Sequence, residues 1–253
     1  ANPYRTLEKA IEAAVSGNTV QAASGTYRVV SRPSIILKSG VILQGEDQAT
    51  TILDAGVPLA VIGADNSTIT GFTITGATTG ISCSGSSVTI TGNKILTPNG
   101  IDCDGGSTAV ISNNTITGGG GNGISVRQTA SPTITGNTIT GKVVGILCQE
   151  SSFPSISGNT ITGNGQEGIR IEGTASADLG GGPKGSSGDN TLQGNGSFDL
   201  RNVTPQPIRA ENNKWDHTTP ASIDSSDIYD DDEGAALGIP GVSFGAVDFE
   251  PFK

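Results

Sequence analysis

One unit recurs along most of this chain, and such repetition constrains a fold more than any single motif does. Residues 132–171, PTITGNTITGKVVGILCQESSFPSISGNTITGNGQEGIRI, write it twice: T-I-T or S-I-S, then G-N, then T-I-T, a short glycine-bounded link, and G-I-x-apolar. The isoleucine of the first triplet appears at Ile69, Ile90, Ile111, Ile134 and Ile156, with spacings of 21, 21, 23 and 22. The G-I isoleucine follows as Ile81, Ile101, Ile124, Ile146 and Ile169, and more loosely as Phe198. Each run within the unit is below helix length, rich in Thr, Ile, Gly and Asn, and alternates apolar with polar residues. Three short strands per turn of a solenoid satisfy this pattern; a helical-pair repeat does not.

The alternation sends Ile134, Ile139, Ile146 and Cys148 inward, and Thr133, Thr135, Thr138, Thr140, Leu147 and Gln149 outward. A single coil cannot bury such a face alone, so the coils must stack. Between the first two strands Asn93, Asn114, Asn137, Asn159 and Asn190 recur, which predicts a stacked amide ladder at a tight bend. Phe72 breaks that column at its N-terminal end.

On these motifs, xITGNTI plus GIxI, the chain resembles the right-handed parallel β-helices of the pectate-lyase-like superfamily. Three stretches carry a narrower likeness: NPYRTLEKAIEAAVSGNTVQAASGTY, ADLGGGPKGSSGDNTLQGNGSFDLRN, and NNKW followed by an acidic segment. They resemble an uncharacterised family of secreted prokaryotic β-helix domains over nearly the whole chain. The resemblance implies an all-β solenoid, exported to the cell surface or beyond. It does not imply one activity, because the superfamily includes lyases, hydrolases, epimerases, adhesins and structural modules.

The expected layout is a single domain over residues 1–253: a cap helix within 1–18, irregular first coils over 19–65, regular coils over 66–208 with an insertion at 173–188, and a C-terminal cap over 209–253. In LEKAIEAAV, residues 7–15, Leu7, Ile11 and Ala14 fall at helical spacing, with Thr6 as N-cap and Gly17 as stop. An amphipathic helix laid over the first coil blocks strand addition at an open edge. At the other end Trp215, the one tryptophan, is expected to plug the last coil. Aromatics are only 4% of residues, so the core must be built from stacked small aliphatic side chains.

A net charge of −10 disfavours a nucleic-acid partner, whose counterions nothing here would replace. No run approaches the length of a membrane span, and no signal peptide is visible. The chain starts at Ala1 and contains no Met, as expected of a processed or excised product. Cys83, Cys103 and Cys148 share one inward slot, filled elsewhere by Val126 and Ile171. Strands about 4.8 Å apart place neighbouring Cβ atoms beyond the roughly 3.8 Å that a disulfide prefers. They read as buried free thiols, with a Cys83–Cys103 disulfide as the alternative.

The outward positions of the G-I-x-apolar strand hold the most varied chemistry: Ser82 and Ser84, Asp102 and Asp104, Ser125 and Arg127, Leu147 and Gln149, Arg170 and Glu172, Asp199 and Arg201. Guanidinium forks and carboxylates in ranks suit sugar hydroxyls and uronate carboxylates, so Asp102, Asp104, Arg127, Gln149, Arg170, Glu172, Asp199 and Arg201 are candidate carbohydrate-binding residues. The same charges can simply pair with one another across neighbouring strands.

Enzyme templates find less support. Asp102 and Asp104, two apart on a strand, stand about 6.6–6.8 Å apart, within the span of glycosidase carboxyl pairs, but nothing in the sequence keeps either protonated. The Gly-His-Gly and Asp-Asp signatures of polygalacturonase-like hydrolases are absent from this face, the Asp-Pro-His-Asp signature of mannuronan epimerases does not appear, and the one histidine, His217, falls in the C-terminal cap. The links before the third strand (GATTG, TPNG, GGGGNG, GKVVG, GNGQEG) are short, whereas pectin-active relatives wall their clefts with long loops.

Thr-x-Thr pairs repeat on two outer faces, an array of the kind seen in ice-binding solenoids, although Lys94 and Ala109 interrupt the ranks and Thr is in any case a good exposed strand residue. The acidic run Asp224, Asp227, Asp230, Asp231, Asp232 and Glu233 offers hard oxygens to calcium, with Asp230, Asp231 and Asp232 as the candidate ligands, or forms an exposed acidic loop. The expectation is therefore an extracellular β-helix module with a structural or polysaccharide-binding role and no catalytic signature. No cofactor is required, though calcium is an option. A polysaccharide-active enzyme and a self-associating surface-layer or filament subunit remain as alternatives, and ice binding as a remote one.

Overall fold

The computed structural model describes residues 4–30, 33–230 and 245–250. Among these, the strands form three long parallel sheets of seven, eight and nine strands, and each regular coil contributes one strand to each sheet. The chain is a right-handed parallel β-helix capped by a short helix.

Register follows the alternation read from the sequence. In the first sheet Val20, Leu43, Ile69, Ile90, Ile111, Ile134 and Ile156 stack as one inward column. In the second, Leu53, Ile74, Ile95, Ile116, Ile139, Ile161 and Leu192 do the same. The third runs from Ile35 and Val61 through Ile81, Ile101, Ile124, Ile146 and Ile169 to Leu200 and Ile228. All of these side chains are buried, and burying each one contributes about 1.5–3 kcal/mol. A bridge between Thr191 and Lys214 sets Trp215 above Leu192, where it closes the second column at 2% exposure.

Asparagine satisfies the corner between the first two strands. Asn137 donates through Nδ2 to the carbonyls of Ile111 and Thr135 and to Asn159 Oδ1, while its own Oδ1 accepts from the backbone and side-chain amides of Asn114. The same set recurs from Asn93 to Asn190 and continues to Asn213, one rung beyond the expected column. At the other end the backbone N–H of Phe72 donates to Asn93 Oδ1 at 3.1 Å. Gly136, with φ of +64°, supplies the left-handed turn that each such corner needs. The glycine of the G-I motif has another reason. A Cβ on Gly123 would lie 2.5 Å from both Gly145 O and Ile139 Cγ2, so a side chain there would push the coils apart.

Several expectations need correction. The cap helix spans Leu7–Ala13 and is shorter than the 7–15 segment; Thr6 Oγ1 does accept the Lys9 N–H at 3.2 Å. Ala14 is already extended, and Gly17 serves a following turn, its N–H bonded to Gly40 O. The insertion 173–188 also contains a piece of the repeat: Asp178 bridges Ser155 and Arg209, which brings Leu179 into the buried first-sheet column. The extra residues lie in the following corner, organised by the buried Asp178 carboxylate, which accepts the N–H groups of Gly180, Gly182, Lys184 and Ser186. Lys184 of this loop bonds Ser131 and sits 5.0 Å over the Phe153 ring, so the loop packs on the turns entering the first sheet.

Cys83, Cys103 and Cys148 occupy the predicted inward slot as buried free thiols, with Cys83 and Cys103 Sγ atoms 3.0 Å apart. Burial pushes the Cys148 thiol up to about 12, and the Cys103 contact followed by burial pushes Cys83 upward. Such thiols behave as small core hydrophobes.

Asn137→Ala and Asn137→Asp should each cost about 2–4 kcal/mol, because they leave buried corner groups without partners. Thr138→Ala on the outer face should stay within about 0.5 kcal/mol of wild type. Equilibrium urea denaturation of the three variants checks the contrast.

Candidate functional site

The third sheet carries the most varied outer face. Its register produces one outward column of Ile36, Ile62, Ser82, Asp102, Ser125, Leu147, Arg170, Arg201 and Tyr229 on nine successive strands. At about 4.8 Å per strand the row is roughly 38 Å long. A second column continues the backbone ladder through Asp104, Arg127, Gln149, Glu172 and Val203.

The charged groups form local networks. Arg127 holds Asp102 with a two-pronged contact, Nε to Oδ1 at 3.1 Å and Nη2 to Oδ2, and its Nη2 also lies 3.6 Å from Asp104 Oδ2. Burial pushes the Asp102 carboxyl above its ordinary value, and Arg127 works against that shift. Two coils further on, Glu172 accepts from Gln149 Nε2 and pairs with Arg170 Nε at 2.9 Å. Leu147 separates the two networks. At the C-terminal end Arg201 pairs with buried Glu167 and stacks 4.9 Å over the Tyr229 ring, which also packs against Phe198. The side chains of Asp102, Asp104, Arg127, Arg170 and Glu172 remain 26–39% exposed, so they are held in place yet accessible.

Asp199 is not part of this row. Leu200, rather than Phe198, fills the inward slot beside Ile169, so Asp199 lies in the register of Gly168, at 2% exposure. Its Oδ1 accepts from Asn195 Nδ2 at 2.7 Å, and its carboxyl is pushed up to about 7, chiefly by burial and further by Asp216 and Asp227. Beside it, His217 Nδ1 lies 2.7 Å from Asp227 Oδ1, a contact that raises the imidazole above its usual value. Among the calcium candidates, Asp230 is buried and accepts the Val247 N–H, while Asp231 and Asp232 lie outside the described residues.

The sequence reading missed Tyr229 and Glu167. Tyr229 sits in the cap beyond the last regular repeat, so periodicity gave no signal for it; Glu167 lies in a link, where alternation assigns no side. On the threonine faces the interruption of the first-sheet ranks is Val110, paired with Thr89 and Thr133 and 40% exposed, whereas Ala109 is buried. Lys94 interrupts the second-sheet ranks as expected.

Residues 1–222 match the model of a family described as a protein of unknown function, DUF1565. The chain belongs to that family. Among solved structures it is similar to the A-module of the mannuronan C-5 epimerase AlgE4 of Azotobacter vinelandii, with a TM-score of 0.59 and 16% identity over 95% of this chain and 80% of that one. This likeness establishes the shared fold. No curated protein matches the chain. Among the described residues, no helix is long and apolar enough to cross a membrane.

One further charged group is buried away from the third sheet. Lys142 is 2% exposed and donates through Nζ to the carbonyls of Thr97 and Pro98, two coils earlier. Desolvation lowers its pKa to about 8. Between this value and the ordinary 10.5 the unfolded chain binds more protons than the folded one, so stability attributable to this group rises with pH across that window. Comparing wild type with Lys142→Met by urea denaturation at pH 7.5 and 10 should show the wild type gaining stability relative to the variant at the higher pH.

Proposed function

We propose that this chain is an extracellular or cell-surface module that binds polysaccharide lengthwise along the outer face of the third sheet. The observation that carries the reading is the row from Asp102 to Tyr229. Carboxylate, guanidinium, amide and aromatic groups stand on successive strands there, preset by mutual pairing yet partly exposed. Arg127 and Arg170 present planar donors to sugar hydroxyls or uronate carboxylates, and Asp102, Asp104 and Glu172 accept from hydroxyls. Tyr229, backed by Phe198 and Arg201, offers a ring on which the apolar face of a sugar can pack. Similarity of fold to a module of a mannuronan epimerase is consistent with a carbohydrate ligand.

A second reading, polysaccharide lyase, epimerase or hydrolase chemistry on the same face, draws on the raised pKa of Asp102. The bidentate Arg127 contact opposes it, because it favours the ionised form of a group that would have to be protonated to serve as a general acid.

Affinity electrophoresis against a panel of uronate-containing and neutral polysaccharides, with product analysis of the same mixtures, tests the proposal. Retention on at least one polysaccharide is expected without turnover, weakened about tenfold in Arg170→Ala, as loss of one charge-assisted contact predicts. Absence of retention across the panel contradicts it. Unsaturated or epimerised product that disappears in Asp102→Ala would establish the enzymatic reading instead.

A further inference from the structure

The C-terminal end contains a cluster that polysaccharide binding does not use. Asp199 lies at the entry to the last regular third-sheet strand, Leu200–Asn202. Asp216 follows the plug residue Trp215, and Asp227 ends the short helical turn Ile223–Asp227 that leads into Ile228–Tyr229. One carboxylate oxygen from each lies within 4.8 Å of the other two. Asp199 and Asp227 are buried, at 2% and 3% exposure, while Asp216 is exposed.

Proximity of acids alone would mean little, because such groups often face solvent together. Here the protein has placed one of them where water cannot compensate it. Asp199 Oδ1 is taken by Asn195, but Oδ2 is buried with no hydrogen-bond partner. An ionised carboxylate oxygen left in that state is costly unless something charged or protic meets it. The neighbouring acids supply no donor. Asp216 Oδ2 accepts the Gly194 N–H, and Asp227 accepts the backbone N–H of His217 and faces His217 Nδ1, so Asp216 Oδ1 and the remaining lone pairs are left for a shared ligand.

We propose that Asp199, Asp216 and Asp227 bind a hard divalent cation of calcium size, which ties the C-terminal cap to the last coil. Three carboxylates supply only oxygen, the donor that calcium and magnesium prefer. Calcium tolerates the irregular, partly hydrated shell that three side chains provide, whereas magnesium demands near-octahedral ligands. Two oxygens sharing a calcium ion at about 2.3–2.6 Å can stand as much as roughly 4.6–5.2 Å apart, a span that the cluster fits. The ion would join three segments separated in sequence, and its binding energy would add directly to the stability of the closed end. With three protein carboxylates and the balance from water, a dissociation constant of roughly 10⁻⁵ to 10⁻³ M is expected.

The test uses the full chain, stripped with chelator. Melting is followed in calcium, in magnesium, and in sodium chloride of matched ionic strength, and terbium(III) luminescence sensitised by Trp215 reports occupancy beside Asp216. Saturating calcium should raise Tm by about 5 °C, with a smaller effect of magnesium and none of sodium. Asp216→Asn, an exposed substitution that leaves the core intact, should weaken calcium binding at least tenfold and quench the sensitised terbium signal. The double variant Asp231→Asn, Asp232→Asn should behave as wild type. No calcium-dependent shift at 10⁻² M, about ten times the weakest expected constant, overturns the proposal. So does a shift that survives Asp216→Asn, or one that is lost in the Asp231→Asn, Asp232→Asn variant.

Discussion

The structure depends on how the buried backbone at the corner between its first and second sheets is satisfied. Chain reversal there leaves amides and carbonyls outside the regular ladders, and each side chain in the asparagine column serves several of them at once. Because an asparagine has both a donor and an acceptor, every rung can accept from the coil before it and donate to the coil after it. Alanine would leave those groups unpaired, and aspartate could accept but not donate. The apolar columns supply the larger share of burial, but they are forgiving in direction. The ladder and the glycine-limited contact at Gly123 fix the stacking distance and register.

Given that scaffold, the outer faces can vary. The first two sheets present mostly threonine and serine, which suit strands and leave little chemistry. The third presents paired charges and, at its end, the Arg201–Tyr229–Phe198 stack. Its ion pairs are partly exposed, and such pairs contribute modestly to stability. Their consequence is geometric: a bidentate contact holds the Arg127 guanidinium in a defined plane beside Asp102, an ordered group rather than a flexible one.

Much of this was legible in the sequence because the repeat is short and its alternation strict. The inward and outward assignments of Ile134, Ile139, Ile146 and Cys148 and the amide column from Asn93 to Asn190 follow from period and pattern. Legibility failed where the period was interrupted. After Ile171 the insertion shifted the count, so Phe198 took the slot that belongs to Leu200, and Asp199 was assigned to the surface although it is buried. Asp178 was missed for the same reason, since it continues a column inside the insertion, whereas Asn213 follows Asn190 at a regular spacing of 23 and lies where the composition changes into the cap. The helix end also misled, because Gly17 marks a turn into the first coil and the backbone is already extended at Ala14.

Amide hydrogen exchange resolved along the chain tests most directly the claim that the ladder holds the coils together. The backbone amides of Asn93, Asn114, Asn137, Asn159 and Asn190 each donate to the next rung's Oδ1. They should therefore exchange as slowly as those of Ile134 and Ile156 in the apolar column, through the same global opening. Exchange at the asparagines that is orders of magnitude faster than in the column would show that the corners open independently, and would contradict the account.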